Sequence, residues 1–346
     1  MKVGIVGLPR TGKTTVFSAL TGQNPDPGLP PGRTTLGTVR VRDPRLTALH
    51  ALYPPAKLIF AEVVFSDVAG APGRKGLDRA SLTAMRDFDA FAQVLRGFAD
   101  ESGGAPDPQR ELADLEAELV LADLDVLERK LPRLQKGEKP SFTNEKELLT
   151  RLKEQLDANR PLRLAGLTPA EVHNLAGYAF LSLKPLLGVL NVPEATVRDA
   201  APAPLAAAAA EHQVRLLVLS GEVERQIAEL DDDSARDFLK DLGLTESAAQ
   251  RFIATAYELM DLISFFTVGD DEVRAWTIRR GTEAVAAAGK IHTDLEHGFI
   301  RAEVIRHEDL LALGSEAKCR EAGKLRLEGK VYVVQDGDIL HVRHNK

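Results

Sequence analysis

The 346-residue sequence is poor in several things, and each shortage excludes something. Its single cysteine, Cys319, leaves no partner for an internal disulfide. No apolar run reaches the roughly 18 residues of a membrane-spanning helix. The apolar stretch Lys2–Gly7 is too short for a secretory signal. These features place the expectation in the cytoplasm, with no membrane partner. Charge of one sign is scarce only locally. The net charge is −7, but the first 96 residues carry 13 Lys+Arg against 7 Asp+Glu, a surplus of +6. Residues 186–262 carry 6 against 14, a deficit of −8. A basic N-terminal part would attract a polyanion.

What is present begins with Lys2-Val3-Gly4-Ile5-Val6-Gly7, which reads as a buried strand, followed by Thr14–Thr21, which reads as a helix start. Between them stands Gly7-Leu8-Pro9-Arg10-Thr11-Gly12-Lys13-Thr14. This is G-x-x-x-x-G-K-T, which is specific when a strand precedes it and a helix follows. Glycines let successive N–H groups point inward around phosphates, and the helix N-terminus adds partial positive charge. Gly7, Pro9, Arg10, Thr11, Gly12, Lys13, Thr14 and Thr15 are therefore the expected phosphate-binding residues. Lys13 should reach the β- and γ-phosphates, and Thr14 should ligate Mg2+.

Leu58–Asp67 reads as one or two strands, ending in Asp67-Val68-Ala69-Gly70, a D-x-x-G pattern. At a strand end downstream of a phosphate loop, Asp67 would hold Mg2+ through water. The Gly70 N–H would sense the γ-phosphate. Residues 23–37 hold four Pro and three Gly and read as a loop. Thr34 or Thr35 within it could supply a second magnesium oxygen. Phe88–Gly97 is a further strand, and strands alternating with helices imply a doubly wound parallel sheet.

After a Gly- and Pro-rich stretch, Leu112, Leu115, Leu119, Ala122 and Val126 follow the spacing of a coiled-coil seam. Pro132 should kink or end that helix. Leu149, Leu152 and Leu156 start a second helix, making an antiparallel hairpin. The same leucines would suit a core helix, but charges on the other faces favour a projecting arm. Buried strands follow at Leu186–Leu190 and Val214–Leu219, then helices over 222–262 with a break at Gly243. Short strands at 265–268, 273–278, 331–334 and 339–342 suggest a small strand-rich terminal domain.

Guanine-specific proteins of this class read the base with N-K-x-D after a strand. This chain instead has Asn191-Val192-Pro193-Glu194, and the longer glutamate should disturb guanine reading. Ser220-Gly221 ends the next strand, where a backbone N–H usually meets the base. Asn191, Glu194, Ser220 and Gly221 are thus the expected base-binding residues.

At this point the chain resembles the YchF subfamily of Obg-related P-loop proteins, the Obg-like ATPases. The resemblance rests on the phosphate loop, Asp67–Gly70, Asn191–Glu194, the helical insertion and a C-terminal TGS-like stretch. That stretch includes Glu272–Arg279, Gly298–Glu303, Lys324–Lys330 and Val334–Asp338. It implies a P-loop domain over 1–97 and 180–262, a coiled-coil insertion over 98–179, and a β-grasp TGS domain over 263–346. It also implies ATP preferred over GTP, slow hydrolysis, and association of the arm and TGS domain with the ribosome or ribosomal RNA. The chain is expected to act as a monomer with Mg2+.

The chain departs from that family in places. Arg10 and Thr11 stand where the family has Asn and Val. Residue 71 is alanine, so no glutamine follows D-x-x-G to orient water. The family carries a histidine in a loop before the coiled coil, and Phe98–Pro108 contains none. No catalytic residue is assigned. The rival readings are a guanine-nucleotide switch, a metabolic P-loop kinase, and a nucleotide-binding module with little or no hydrolysis. His292, Asp294 and His297 have a metal-like spacing but read as turn residues, Cys319 as structural, and Trp276 as a core residue.

Overall fold

The computed structural model describes residues 1–25, 30, 33–68, 77–99 and 103–345. Its strands are β1 (Lys2–Val6), β2 (Thr34–Val41), β3 (Lys57–Ile59), β4 (Ala61–Val68), β5 (Ala90–Arg96), β6 (Leu186–Asn191), β7 (Arg215–Leu219), β8 (Leu262–Val268), β9 (Glu272–Arg279), β10 (Phe299–Arg306), β11 (Arg326–Glu328) and β12 (Asp338–His344). Its helices are α1 (Lys13–Thr21), α2 (Pro44–His50), α3 (Arg79–Met85), α4 (Pro108–Gln135), α5 (Glu145–Asp157), α6 (Pro169–Leu175), α7 (Ala203–Glu211), α8 (Gly221–Ala228), α9 (Asp232–Asp241), α10 (Ala248–Leu259), α11 (Ala284–Ile291), α12 (Thr293–His297), α13 (His307–Leu313) and α14 (Glu316–Glu321). They divide into two units. One comprises Met1–Val39 and Val64–Thr255, the other Arg40–Val63 and Ala256–Lys346.

The first unit is built on a sheet of order β2-β4-β1-β5-β6-β7. β1 pairs in parallel with β4 and β5, β5 with β6, and β6 with β7. Continuous apolar strands suit such a sheet because helices cover both faces. All six residues of β6 are buried, as are six of seven in β5. Gly4 is required in β1: a Cβ there would lie 2.3 Å from the Phe88 ring.

α4 serves two cores. Leu112, Leu115 and Leu119 join the sheet core with Leu186, Leu190 and Leu205. Further along, Leu127, Leu131 and Leu134 pack with Leu148, Leu149, Leu152 and Leu156 of α5 and with Phe180. The expected seam through Ala122 and Val126 is therefore displaced by one residue. Asp123 and Leu127, both fully buried, take the inward positions. A carboxylate can stand there because it accepts the Leu181 and Ser182 N–H groups at 2.8 and 2.7 Å. Pro132 lies in the last turn of α4, which ends three residues later.

The second unit is a mixed sheet of order β11-β10-β12-β8-β9-β3. β8–β9, β10–β12 and β10–β11 are antiparallel, while β12–β8 and β3–β9 are parallel. One face buries Ile263, Phe265 and Ile278 under Ala284, Ala287 and Ala288 of α11. The other buries Phe266, Val273 and Ile339 under Leu46 and Leu49 of α2, Leu310 of α13 and Cys319 of α14. Residues 331–334 do not form the expected strand. A single bridge, Glu283 to Val333, stands there. The Ala284 and Val334 N–H groups donate across to Tyr332 and Thr282 carbonyls at 2.7 and 3.0 Å, so this stretch pairs with the turn that opens α11.

The architecture is thus an α/β P-loop fold with a helical hairpin inserted between β5 and β6 and a C-terminal β-grasp (TGS) domain. The expected boundary at 263 is passed in both directions. Packing begins the second unit at Ala256 and also draws in Arg40–Val63, because β3 pairs with β9 and α2 covers that sheet.

Candidate functional site

The end of β1 turns into α1 through Gly7–Gly12. Gly7 is held close: a Cβ there would stand 2.8 Å from the Val94 carbonyl oxygen. Gly12 lies at φ +80°, where glycine is favoured, and its Cβ would lie 2.3 Å from Asn191 Nδ2. Gly12 is also the N-cap of α1, and no side chain caps that helix. An uncapped first turn, with its amides and the positive end of the helix dipole, is what anion binding requires. Thr11 is buried and its hydroxyl donates to the Leu8 carbonyl at 3.1 Å. Pro9, Arg10 and Thr14 are exposed, and Thr15 is half-buried. Arg10 has φ +70°, a left-handed conformation that glycine and asparagine tolerate better than arginine.

Lys13 is the cation of the loop. Its ammonium is paired with the Asp67 carboxylate and donates to the Val68 carbonyl at 2.9 Å. The phosphate loop and the D-x-x-G strand end therefore converge, although 54 residues separate them. Asp67 is buried, and with the Thr14 hydroxyl it offers the hard oxygen donors that Mg2+ takes. Gly70 lies outside the described residues. Thr34 and Thr35 are not loop residues: they open β2 and are half-buried there, because the pairing of β2 beside β4 begins at Thr34.

Asn191 does something the sequence did not reveal. Its Nδ2 donates to the Thr11 carbonyl at 3.1 Å, and its Oδ1 accepts the Gly221 N–H at 2.9 Å. It ties the phosphate loop to the turn after β7. Gly221 therefore spends its N–H on Asn191, not on a base. Ser220 is the N-cap of α8, its Oγ accepting the Val223 N–H at 3.4 Å. Glu194 is exposed in a short 3-10 turn, Glu194–Thr196. The structure thus groups Asn191, Ser220 and Gly221 beside the loop and leaves Glu194 exposed at the surface.

Two residues were missed because they carry no motif. The Phe98 ring reaches to within 3.9 Å of a Cβ placed on Gly12. Arg96 donates to the carbonyls of Phe98, Gly104 and Ala105 at 3.2–3.4 Å. Its own N–H donates to Glu111 of α4 at 2.8 Å. Burial pushes the Glu111 carboxyl up, against the pull of Arg96. Phe98, Gly104 and Ala105 are therefore pinned to the end of β5.

The remaining expectations concern structure. His292 accepts the Asp294 N–H at 3.2 Å as an N-cap, and among the described residues no group of three His, Cys, Asp or Glu could hold a metal. Trp276 stacks with Phe265 in the second unit, with the Arg274 guanidinium 4.0 Å from its ring centroid. Cys319 is fully buried. Among the described residues no helix is long and apolar enough to cross a membrane.

Comparison with known proteins covers the whole chain. Residues 2–128 match the family described as 50S ribosome-binding GTPase, and residues 262–345 match the YchF-GTPase C-terminal family, described as a protein of unknown function. The chain is 38% identical over 363 residues to the ribosome-binding ATPase YchF of Bacillus subtilis, covering 100% of this chain and 99% of that protein. It is 39% identical over 359 residues to the YchF of Haemophilus ducreyi, covering 99% of each. The Obg-like ATPase 1 of Caenorhabditis elegans is 34% identical over 365 residues, covering 100% and 92%. The structure of the Schizosaccharomyces pombe YchF GTPase superposes with a TM-score of 0.86 at 31% identity, covering 99% of this chain and 97% of that one. With relatives 38–39% identical over essentially the full length of both chains, the chain belongs to the YchF family of Obg-like ATPases.

Proposed function

We propose that the chain binds a Mg2+–purine nucleoside triphosphate at Gly7–Thr15, prefers ATP to GTP, hydrolyses it slowly, and acts as a nucleotide-dependent switch on the ribosome. The observation that carries the reading is the convergence of Lys13 and Asp67 on an uncapped helix N-terminus. The amides of Gly12–Thr15 and the Lys13 ammonium would hold the phosphates. Thr14 and Asp67 would hold Mg2+, which would neutralise phosphate charge. Thr34, Thr35 and Gly70 would follow the state of the γ-phosphate.

The base preference rests on Glu194, whose longer, exposed side chain stands where guanine readers keep an aspartate. Relatives carry both names, ATPase and GTPase, so the names do not decide it. Asn191, Ser220 and Gly221 would shape the base end of the site, and the Phe98 ring would wall it. Slow hydrolysis rests on the sequence: alanine stands at position 71 where a water-orienting glutamine would follow D-x-x-G, and residues 98–108 hold no histidine. The ribosome reading follows the names of the relatives.

Equilibrium affinities for ATP and GTP test the base preference, and a strong preference for GTP refutes it. Single-turnover hydrolysis by the isolated protein tests the rate. An ordinary ATPase rate would overturn the slow-hydrolysis reading. Co-sedimentation with ribosomes in ATP, in ADP and without nucleotide separates a switch from a passive nucleotide-binding module.

A further inference from the structure

Gly7–Thr15 carries two cations, Lys13 and Arg10. Lys13 is paired with Asp67 and with the Val68 carbonyl. Arg10 is exposed, and its side chain makes no hydrogen bond or ion pair with any described residue. It stands in the left-handed region at φ +70°, which costs an arginine more than a glycine or an asparagine. The chain on either side holds it there. The Thr11 hydroxyl donates to the Leu8 carbonyl at 3.1 Å, and Asn191 Nδ2 donates to the Thr11 carbonyl at 3.1 Å. Gly12 then follows at φ +80° as the N-cap of α1. Arg10 is thus a strained residue in a tethered loop, two positions before an uncapped helix N-terminus, with its charge unspent. Strain kept at a ligand-binding loop points to a function for the residue that bears it.

We propose that Arg10 is a built-in arginine finger, its guanidinium turning onto the β- and γ-phosphates to stabilise the charge that moves between them during hydrolysis. Its role rests on the nucleotide reading above. In that reaction water adds to the γ-phosphorus as the bond from that phosphorus to the β–γ bridging oxygen breaks. The electron pair of the broken bond stays on the bridging oxygen, which leaves as part of ADP. A proton of the attacking water is released with inorganic phosphate. Negative charge therefore grows on the leaving oxygen, where a cation lowers the barrier. A guanidinium offers a planar fork that can meet two phosphate oxygens at once, which an ammonium cannot. A fork carried on a tethered loop needs little reorganisation at the moment of reaction. Arginine supplied in cis serves other phosphoryl-transfer proteins in this way. It supplies charge and does not orient water, so hydrolysis stays slow.

The test compares the full wild-type chain with Arg10→Ala, Arg10→Lys and Arg10→Asn in the presence of Mg2+. Arg10→Asn suits the left-handed backbone, so it guards against a loss caused by misfolding, and thermal melts check each variant. Single-turnover ATP hydrolysis should fall at least about 100-fold in all three, while ATP and ADP affinities by calorimetry stay within about 3-fold of wild type. Lysine should fail because it keeps the charge and loses the fork. ADP with aluminium fluoride copies the phosphoryl group in transfer and needs no turnover. Its affinity should fall at least about 100-fold in Arg10→Ala. Wild-type hydrolysis and wild-type aluminium fluoride affinity in Arg10→Ala overturn the proposal. So does an equal loss of ATP, ADP and aluminium fluoride affinity, which marks a contact made in the ground state. If the wild type binds no ATP, the nucleotide reading falls and the finger falls with it. If it binds ATP through Lys13 and ignores every Arg10 substitution, only the finger falls.

Discussion

Replacing Asn191 by alanine separates a tether from a base reader. The side chain is 6% exposed and makes two hydrogen bonds, to the Thr11 carbonyl and from the Gly221 N–H. Alanine removes both and leaves a buried acceptor and a buried donor without partners. Each such loss costs about 1–3 kcal/mol, and water entering the vacated space offsets part, so about 3 kcal/mol is expected in total. In a unit of this size each kcal/mol lowers Tm by about 2–4 °C, giving a drop of about 6–12 °C. The assay is thermal and denaturant melting without nucleotide, then with saturating ATP. Asn191→Asp is a control. It keeps an acceptor for Gly221 but sets a carboxylate oxygen against the Thr11 carbonyl, so it should not rescue the loss. If Asn191→Ala melts within about 1 °C of wild type without nucleotide and loses only affinity, the tether reasoning is wrong.

Three further outcomes are expected. Arg10→Asn should raise stability by about 0.5–1 kcal/mol by relieving a left-handed arginine at φ +70°, read from the urea midpoint at unchanged slope. Lys13→Ala should cut ATP affinity by at least about 100-fold, because the loop lysine is the phosphate cation, and isothermal titration checks it. Lys184 donates to the carbonyls of Met85, Arg86 and Phe88, and burial pushes its ammonium down to about 8. The unfolded chain therefore holds more protons between about 8 and 10.5, so stability should rise with pH across that window relative to Lys184→Met. Paired melts at pH 7.5, 9 and 10 measure it, and a flat difference would refute the buried charge.

The phosphate loop was legible because its information is local. Strand, glycines and helix start lie within 15 residues, and each position has its own steric reason. Asn191 was picked out for its place after β6, but its role was not legible, since its partners lie at Thr11 and Gly221. No spacing rule reports a hydrogen bond across 180 residues. The α4 seam slipped for a related reason: periodicity alone prefers Ala122 to a carboxylate, and only the Leu181 and Ser182 amides make Asp123 acceptable inside. Thr34 and Thr35 were read as loop because Pro and Gly crowd the preceding residues, yet pairing beside β4 begins at Thr34. Strand-like composition at 331–334 was real, but its backbone partners are Thr282 in a turn and Ala284 at the start of α11.

The interleaving of the two units has a consequence for synthesis. Lys57 of β3 pairs with Glu272 of β9, its partner 215 positions later in the chain. At about 5–20 residues per second, the early strand waits about 10–40 s for its partner to be made. During that time the apolar faces of α2 and β3 have no sheet to cover, and they are a natural place for a chaperone to hold the nascent chain. A fragment ended at residue 262 would carry the same exposed piece permanently. Such a fragment should be soluble only once residues 40–63 are bridged by a short polar linker.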